Sequence, residues 1–192
     1  MRVEPNMKII AITPPHAVEN EVVIIRQLLE NGVDIVHLRK HQSEFYEVDV
    51  ITYLRKILSA LTLEECSKII IHDFPQLYYE FTLKGIHVNK NVTSLPKEYA
   101  GYKTRSCHSF EEVLKYKNEY DYLFLSPIFD SISKPEYKSP FSHQALHKAS
   151  LKGIINKKVI ALGGVTFDKI PYLQSLNFGG VAMIGGIYEF AK

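Results

Sequence analysis

Two apolar stretches near the end of the chain carry the clearest structural signal: Val159-Ile-Ala-Leu-Gly-Gly-Val165 and Gly179-Gly-Val-Ala-Met-Ile-Gly-Gly-Ile187. Each is a short run that leads into a glycine pair. The runs are too short for a helix and favour buried parallel strands, each followed by a tight turn. Glycine lets backbone N–H groups approach a ligand closely, and a helix that begins just beyond favours an anion. The two turns therefore predict a phosphate site.

Six further strands are predicted upstream, with amphipathic stretches between them. The strands are Lys8–Thr13, Asp34–Arg39, Lys68–His72, Gly85–Val88, Tyr102–Cys107 and Tyr120–Leu125. The helices are Glu19–Glu30, Ser43–Leu61, Gln76–Leu83, one that begins with a capping box at Ser109–Glu112, Ser142–Lys152 and Phe167–Leu176. Alternation of this kind is typical of a parallel sheet covered by helices.

The strand count selects the fold class. Eight strands predict a compact single-domain (β/α)8 TIM barrel over residues 1–192, in which the loops after strands seven and eight are the usual phosphate cradle. Residues 1–7 are predicted to be a flexible N-terminal extension, and Tyr188–Lys192 to be the stub of a truncated final helix. A doubly wound open sheet is less favoured, because no GxGxxG follows the first strand.

Composition excludes several classes of protein. The net charge of +2, without a basic block, argues against a nucleic-acid partner. No apolar run reaches the length of a membrane span, and the first residues do not resemble a secretory signal. Cys66 and Cys107 lack CxxC spacing and are expected to be reduced thiols of a cytoplasmic protein. The sequence leaves a homodimer open as the state of assembly.

Catalytic groups of a TIM barrel gather at the carboxyl ends of the strands. The residues at these predicted ends are Thr13, Arg39, Lys40, His41, His72, Asp73, Asn89, Lys90, Ser106, His108, Ser126, the Asp130–Lys134 loop, Gly163, Gly164, Ile184, Gly185 and Gly186. They are rich in cations and hydroxyls. They suit a phosphorylated small molecule as partner, with Asp73 as a candidate ligand for Mg²⁺.

Seven short motifs occur along the chain in the same order as in a known family. They are Val36-His-Leu-Arg-Lys40, Ile70-Ile-His-Asp73, Gly85-Ile-His-Val88, Arg105-Ser106, Asp121–Phe129 with Ser131–Lys134, Ala161-Leu-Gly-Gly-Val165 and Gly180-Val-Ala-Met-Ile184. From Lys8 to Ile187 the chain resembles the thiamin phosphate synthase family, which includes the TenI-type thiazole tautomerases. The resemblance implies a transferase of thiamin biosynthesis that joins hydroxymethylpyrimidine pyrophosphate to thiazole phosphate. The reaction releases pyrophosphate with the help of Mg²⁺.

The resemblance also implies roles for individual residues. Arg39 and Lys134 would hold pyrophosphate, Asp73 would bind Mg²⁺, and Ser106 would contact the pyrimidine. The thiazole phosphate would lie among Ser131, Gly163, Gly164, Ile184 and Gly185. We add His108 as a candidate proton-transfer residue because imidazole titrates near neutral pH. The remaining candidates for substrate binding are His37, His41, His72 and Ser133.

The chain departs from the family pattern in ways that weaken the expected site. The family's Gln-Leu-Arg-Glu-Lys is His37–His41 here, and its Asn-Asp pair is His72-Asp73. A second magnesium carboxylate is missing near Asn91, and Gly185 replaces a serine. The histidine at position 37 is similar to the tautomerase branch of the family, whereas the proline at position 127 is similar to the synthase. A TenI-like tautomerase and a non-catalytic paralogue that binds thiazole phosphate or thiamin phosphate therefore remain alternatives.

Each candidate residue also has a structural alternative. Arg39 is a surface ion-pair partner in that alternative, Asp73 caps a helix, and His108 only begins one. Lys134 is then only a cation of the Pro127–Pro140 loop. The length of that loop nevertheless favours a functional role for it. His37 and His41 do not face together in a strand, which argues against a zinc site built on that pair.

Overall fold

Eight strands form a closed barrel in the order β1 to β8, and the computed structural model describes residues 7–45, 49–92, 94–95, 97–130, 138–185 and 187. The strands are β1 (Lys8–Ile12), β2 (Ile35–Leu38), β3 (Ile69–His72), β4 (Gly85–His87), β5 (Tyr102–Cys107), β6 (Tyr122–Leu125), β7 (Val159–Leu162) and β8 (Gly180–Met183). The predicted TIM-barrel fold class is confirmed.

Seven α-helices and two 3₁₀ helices occur among the described residues. They are α1 (Glu21–Glu30), α2 (Val50–Ala60), α3 (Leu63–Cys66), α4 (Leu77–Phe81), α5 (Phe110–Tyr116), α6 (His143–Leu151) and α7 (Ile170–Ser175), with 3₁₀ turns at Gln42–Glu44 and Phe167–Lys169. No helix in this described part of the chain has the length and apolar character that crossing a bilayer requires.

The chain divides into two compact units. The N-terminal unit consists of Ala11–Lys103 and Ile184–Lys192, and the C-terminal unit of Thr104–Met183 and Met1–Ile10. In the N-terminal unit, β2 and β3 are buried along their whole length, as expected for parallel strands. Strands β3 and β4 pair in parallel, with His72 opposite His87. The apolar faces of α1 and α2 contribute Ile25, Leu28, Leu54 and Leu58 to the core.

The C-terminal unit contains β6, β7 and β8 as adjacent parallel strands. Leu125 pairs with Ala161, and Leu162 pairs with Ala182. The strands are almost entirely apolar and buried, and Phe178 and Leu173 pack in the same core. This arrangement brings the turn after β7 close to the segment that follows β6.

The predicted helix Ser43–Leu61 begins too early. The structure has a 3₁₀ turn at Gln42–Glu44, and α2 begins at Val50. Asp49 is extended, and its carboxylate accepts a hydrogen bond from the Thr52 N–H, so it is the N-cap that sets the helix start. After α2, the capping box between Thr62 and Glu65 starts the separate helix α3.

Two other helix starts also differ from prediction. The Ser109 hydroxyl caps α5, but the Glu112 carboxylate accepts from the His108 N–H at 2.6 Å, so only the Ser109 half of the predicted box forms. The predicted helix Phe167–Leu176 is a 3₁₀ turn followed by α7. Pro171 lies in the first turn of α7, where a missing N–H costs nothing. Residues 1–6 and 188–192 lie outside the described part, so the extension and the terminal stub stay predictions.

Candidate active site

Arg39 is held in place at the end of β2 by Thr13, which is buried just beyond β1. The Thr13 hydroxyl accepts from the Arg39 N–H at 2.9 Å and donates to the Arg39 carbonyl at 3.1 Å. The Thr13 N–H donates to the His37 carbonyl at 3.0 Å. The Arg39 Nε–H donates to His41 Nε2 at 3.0 Å. Both the backbone and the guanidinium of Arg39 are therefore fixed before a ligand arrives.

The electrostatics of Arg39 favour ligand binding over a surface ion pair. Burial lowers the pKa of Arg39, and the charge of Asp73 acts in the opposite direction. The ion pairs found among the described residues do not include Arg39. A partly buried cation without an ion-pair partner in this part of the chain is suited to an anionic ligand.

Asp73 lies directly after β3, in a left-handed backbone conformation with φ of 65°. Its Oδ1 accepts from the amide of Asn89 at 2.6 Å and from that of Asn91 at 3.2 Å. Asn89 Oδ1 in turn accepts from the Asn91 N–H at 2.8 Å. Asp73 does not cap the next helix, because the N-cap of α4 is Gln76. The side chain is therefore oriented by two asparagines, of which the sequence analysis had assigned a role to neither.

Lys40 is a structural residue, although the strand-end pattern placed it among the candidate cations. Its ammonium donates to Glu21 Oε1 at 2.7 Å and to the carbonyls of Pro14 and His16 at 2.9 and 2.7 Å. Both side chains of the ion pair are almost fully buried. Burial lowers the pKa of Lys40, and Glu21 opposes that shift. All three ammonium protons are used within the fold, so Lys40 is corrected to a buried ion-pair partner.

The three histidines at the ends of β2, β3 and β4 lie together. His37, His72 and His87 are 0%, 7% and 4% exposed, and His37 Nδ1 lies 2.9 Å from His72 Nε2. His37 therefore contacts other histidines rather than an open surface, and a substrate-binding role for His37 and His72 stays a prediction. The sequence argues against a zinc site at His37 and His41 and does not connect His37 with His72 and His87, because strand pairing is what brings these three side chains together.

In the C-terminal unit, the turn after β7 is formed by two glycines in left-handed conformations. Gly163 has φ of 92° and Gly164 has φ of 61°. A Cβ at Gly163 would lie 2.7 Å from the Pro127 Cβ, and one at Gly164 would overlap the Asp130 carbonyl oxygen. The segment after β6 thus packs on this turn with no room for a side chain.

We expect Gly164→Ala to destabilise the protein by about 2 kcal/mol or more, since it adds both a positive-φ strain and a backbone clash. Gly32→Ala is the matched control, because Gly32 has φ of 93° but no atom within 4 Å of the added Cβ. Urea unfolding of both variants measures the difference. Equal losses in the free energy of unfolding would show that the close packing around Gly164 adds nothing to the cost of the substitution.

Lys169 supplies a cation beside this turn that the sequence analysis did not select. Its ammonium donates to the Gly164 carbonyl at 2.6 Å and lies 4.4 Å from the centre of the Phe129 ring. A cavity of about 290 Å³ opens beside it. The cavity is lined by Ile128, Phe129, Asp130, Ser139, Phe141, His143, Leu146 and Lys169. A positive charge therefore lies beside the turn, where the Gly164 carbonyl holds it.

His108 and Ser106 lie on the same unit at and beyond the end of β5. His108 Nδ1 is 3.0 Å from the Ser126 carbonyl oxygen, which accepts, so Nδ1 carries the proton and Nε2 keeps its lone pair in the neutral ring. The side chain of His108 is exposed. Ser106 pairs with Phe124 of β6. The exposed ring of His108 is accessible to solvent, and its role in proton transfer stays a prediction.

The remaining candidates follow β6 and β8. Ile184 and Gly185 are exposed immediately after β8, and a Cβ at Gly185 would meet nothing within 4 Å. Sterics therefore do not require glycine at 185, in contrast to Gly164. Ser131, Ser133 and Lys134 lie outside the described residues, as does half of the predicted loop, and their roles stay predictions.

Sequence comparison relates the chain to one family. The family described as thiamine monophosphate synthase matches residues 9–187. A putative thiamine-phosphate synthase 2 from Aquifex aeolicus is 30% identical over 182 residues, which cover 89% of this chain and 91% of that protein. A thiamine-phosphate synthase from Bacillus mycoides is 28% identical over 170 residues, covering 85% of this chain and 77% of the relative.

Solved structures give the same relation. A thiamine phosphate pyrophosphorylase from Bacteroides thetaiotaomicron superposes with a TM-score of 0.82 at 36% identity, covering 95% of this chain and 85% of that one. A thiamine phosphate pyrophosphorylase from Pyrococcus furiosus superposes with a TM-score of 0.69 at 20% identity, covering 97% and 92%. The second likeness concerns the fold alone.

Proposed function

The chain belongs to the thiamine monophosphate synthase family, and we propose that it is a transferase that joins hydroxymethylpyrimidine pyrophosphate to thiazole phosphate and releases pyrophosphate. The observation that carries the proposal is Arg39, whose backbone is fixed by Thr13 and whose guanidinium is oriented by His41 and influenced electrostatically by Asp73. Relatives whose names include thiamine-phosphate synthase match most of the chain.

The charge of Arg39 suits the bond that breaks. When the C–O bond to pyrophosphate breaks, the electron pair leaves with the pyrophosphate and negative charge grows on its oxygens. A cation already fixed in position stabilises that charge without reorganisation. A guanidinium can also donate two parallel hydrogen bonds to one phosphate group, which an ammonium cannot. We therefore assign Arg39 to the leaving pyrophosphate.

The Asp73 carboxylate fits Mg²⁺. This ion prefers one or two carboxylates together with phosphate oxygens and water, and the amide N–H groups of Asn89 and Asn91 hold Asp73 Oδ1 in place. When bound, Mg²⁺ would neutralise charge on the pyrophosphate oxygens. Asn91 stands near the place where the family has a second carboxylate, so we propose that this site holds the ion less tightly than a complete one.

Changing the carboxylate count should change the Mg²⁺ requirement. The Asn91 amide lies 3.2 Å from Asp73 Oδ1, so Asn91→Asp would place two carboxylates in contact, and a divalent cation relieves their repulsion. We expect Asn91→Asp to lower the Mg²⁺ concentration for half-maximal turnover roughly tenfold, about 1.4 kcal/mol, and Asp73→Asn to raise it. Turnover is measured against Mg²⁺ concentration.

The matched control for this titration is Asn118→Asp, which adds the same charge at an exposed turn after α5. It should leave the Mg²⁺ requirement unchanged. If Asn91→Asp behaves like Asn118→Asp, and Asp73→Asn is fully active, the magnesium role assigned to this group is wrong.

The turn at Gly163 and Gly164 is the proposed site of the thiazole phosphate. The support is the positive-φ backbone, which brings N–H groups forward, and the adjacent ammonium of Lys169. We further propose that Ser106 contacts the pyrimidine, that His108 transfers a proton and that Lys134 contacts the pyrophosphate. Ser131, Ile184 and Gly185 are proposed to contact the thiazole phosphate, and Ser133 to contact a substrate.

The decisive experiment supplies the purified protein with both substrates and Mg²⁺. We expect thiamin phosphate and pyrophosphate to form in equal amounts, and omission of thiazole phosphate to abolish thiamin phosphate. Proton exchange on the thiazole without pyrophosphate release would identify a tautomerase. Ligand binding with neither reaction would identify a non-catalytic paralogue. Either of the last two results would overturn the proposal.

A further inference from the structure

The cluster of three histidines is formed by neighbouring strands of the N-terminal unit. His37 lies on β2, and His72 and His87 pair with each other at the ends of β3 and β4. The rings of His72 and His87 stack with their centroids 4.2 Å apart, and that of His37 meets both edge-on at 5.1 and 5.7 Å. We define this set as the histidine cluster. All three side chains point to the same face and are buried.

The ring nitrogens of the histidine cluster converge. One nitrogen from each ring lies within 4.8 Å of the other two, and the closest pair, His37 Nδ1 and His72 Nε2, is 2.9 Å apart. Zinc binds imidazole nitrogens at about 2.0–2.1 Å, so two ligands of a tetrahedral ion lie roughly 3.4 Å apart. The spacing in the protein brackets this value; because the rings of His72 and His87 lie nearly parallel, one of them must rotate before both nitrogens can point at one ion.

The sequence around the histidine cluster supports a purpose beyond packing. The synthase pattern of the resembled family has glutamine at position 37 and asparagine at position 72; histidine at 37 resembles the tautomerase branch, and His72 departs from the pattern. All three imidazoles are buried, and neutral imidazole is the form that ligates metals.

We propose that His37, His72 and His87 bind one divalent transition-metal ion, zinc in preference to magnesium. Three neutral imidazoles suit Zn²⁺, whereas Mg²⁺ requires oxygen ligands. Three protein ligands leave a fourth position for water or a ligand atom, the arrangement of reactive rather than purely structural zinc sites. The site is separate in chemistry from the oxygen donors of Asp73, and its existence does not depend on the proposed synthase reaction.

Metal binding by tag-free protein tests the proposal directly. After treatment with a chelator, the protein is titrated with Zn²⁺, and Co²⁺ is used as a spectroscopic probe. We expect one equivalent of Zn²⁺ with a dissociation constant below about 1 μM, and Co²⁺ absorption bands typical of tetrahedral coordination. Excess Mg²⁺ should not displace the ion. Absence of stoichiometric Zn²⁺ binding would overturn the proposal.

Variants separate the histidine cluster from other ligands on the protein. His37→Gln and His72→Asn introduce the residue types of the resembled family, so the fold is expected to accept them, and each should weaken Zn²⁺ binding at least 100-fold. His143→Gln is the control, because His143 is exposed and bonds to Tyr172. Circular dichroism of the metal-free proteins checks folding. If a folded His37→Gln/His72→Asn double variant binds Zn²⁺ as tightly as the unchanged protein, the ion lies elsewhere and the assignment is wrong.

Discussion

Arg39→Ala is expected to lower turnover by a factor of about 100 to 1,000, the range found when a preorganised hydrogen-bond donor that stabilises developing charge is removed from a reaction site. Arg39→Lys should also lose activity, because an ammonium cannot form the two parallel bonds of a guanidinium. Neither change should lower the melting temperature appreciably, since Arg39 contributes a partly buried charge outside the ion pairs of the described residues. Steady-state kinetics and thermal unfolding of the same preparations measure both effects.

Arg55→Lys is the matched control for the arginine substitutions, because Arg55 forms an exposed ion pair with Glu80. It should leave turnover unchanged. Full activity of Arg39→Lys, or an equal loss in Arg55→Lys, would remove Arg39 from the reaction site. Loss of activity together with a large fall in melting temperature would instead assign Arg39 a structural role.

Thr13 gives a second test of the same geometry. Thr13→Val removes the hydroxyl that bonds to the Arg39 N–H and carbonyl while preserving side-chain volume. We treat Thr13 as a positioning residue and expect kcat to fall more than the affinity for pyrophosphate, with recovery in Thr13→Ser. An unchanged kcat in a folded Thr13→Val variant would show that the two hydrogen bonds from the Thr13 hydroxyl to the Arg39 backbone are not needed for turnover.

Lys40→Met is expected to destabilise the protein by about 3–5 kcal/mol, the usual cost of removing one partner from a buried ion pair. The substitution leaves the Glu21 carboxylate buried, with the Tyr53 hydroxyl as a remaining donor at 2.7 Å. The carbonyls of Pro14 and His16 also lose their bond to the ammonium. Urea unfolding monitored by circular dichroism measures the loss.

A double variant shows whether the cost comes from the uncompensated charge. Lys40→Met combined with Glu21→Leu removes both charges and should recover a large part of the lost stability. Arg55→Met, at the exposed pair with Glu80, should leave stability nearly unchanged. If Lys40→Met is no more destabilising than Arg55→Met, the ion pair of Lys40 and Glu21 is not important to the fold.

Strands were more predictable than helix starts, for a physical reason. A buried parallel strand needs only a short apolar run, and each predicted strand overlaps an observed one. A helix start depends on which of several nearby polar side chains reaches a free N–H. Ser43 and Asp49 both meet that description, and the structure places the start of α2 at Asp49.

The order of apolar runs and glycine turns is sufficient to predict the barrel, because this pattern is local. The positions at the ends of the runs include Arg39 and Asp73, but they include Lys40 as well. The difference in role between Arg39 and Lys40 does not follow from the local sequence. Neighbouring residues of an extended chain point in opposite directions, and only packing against Glu21 makes Lys40 structural. The meeting of His72 and His87 likewise depends on the register between two strands, which a linear pattern of residues does not specify.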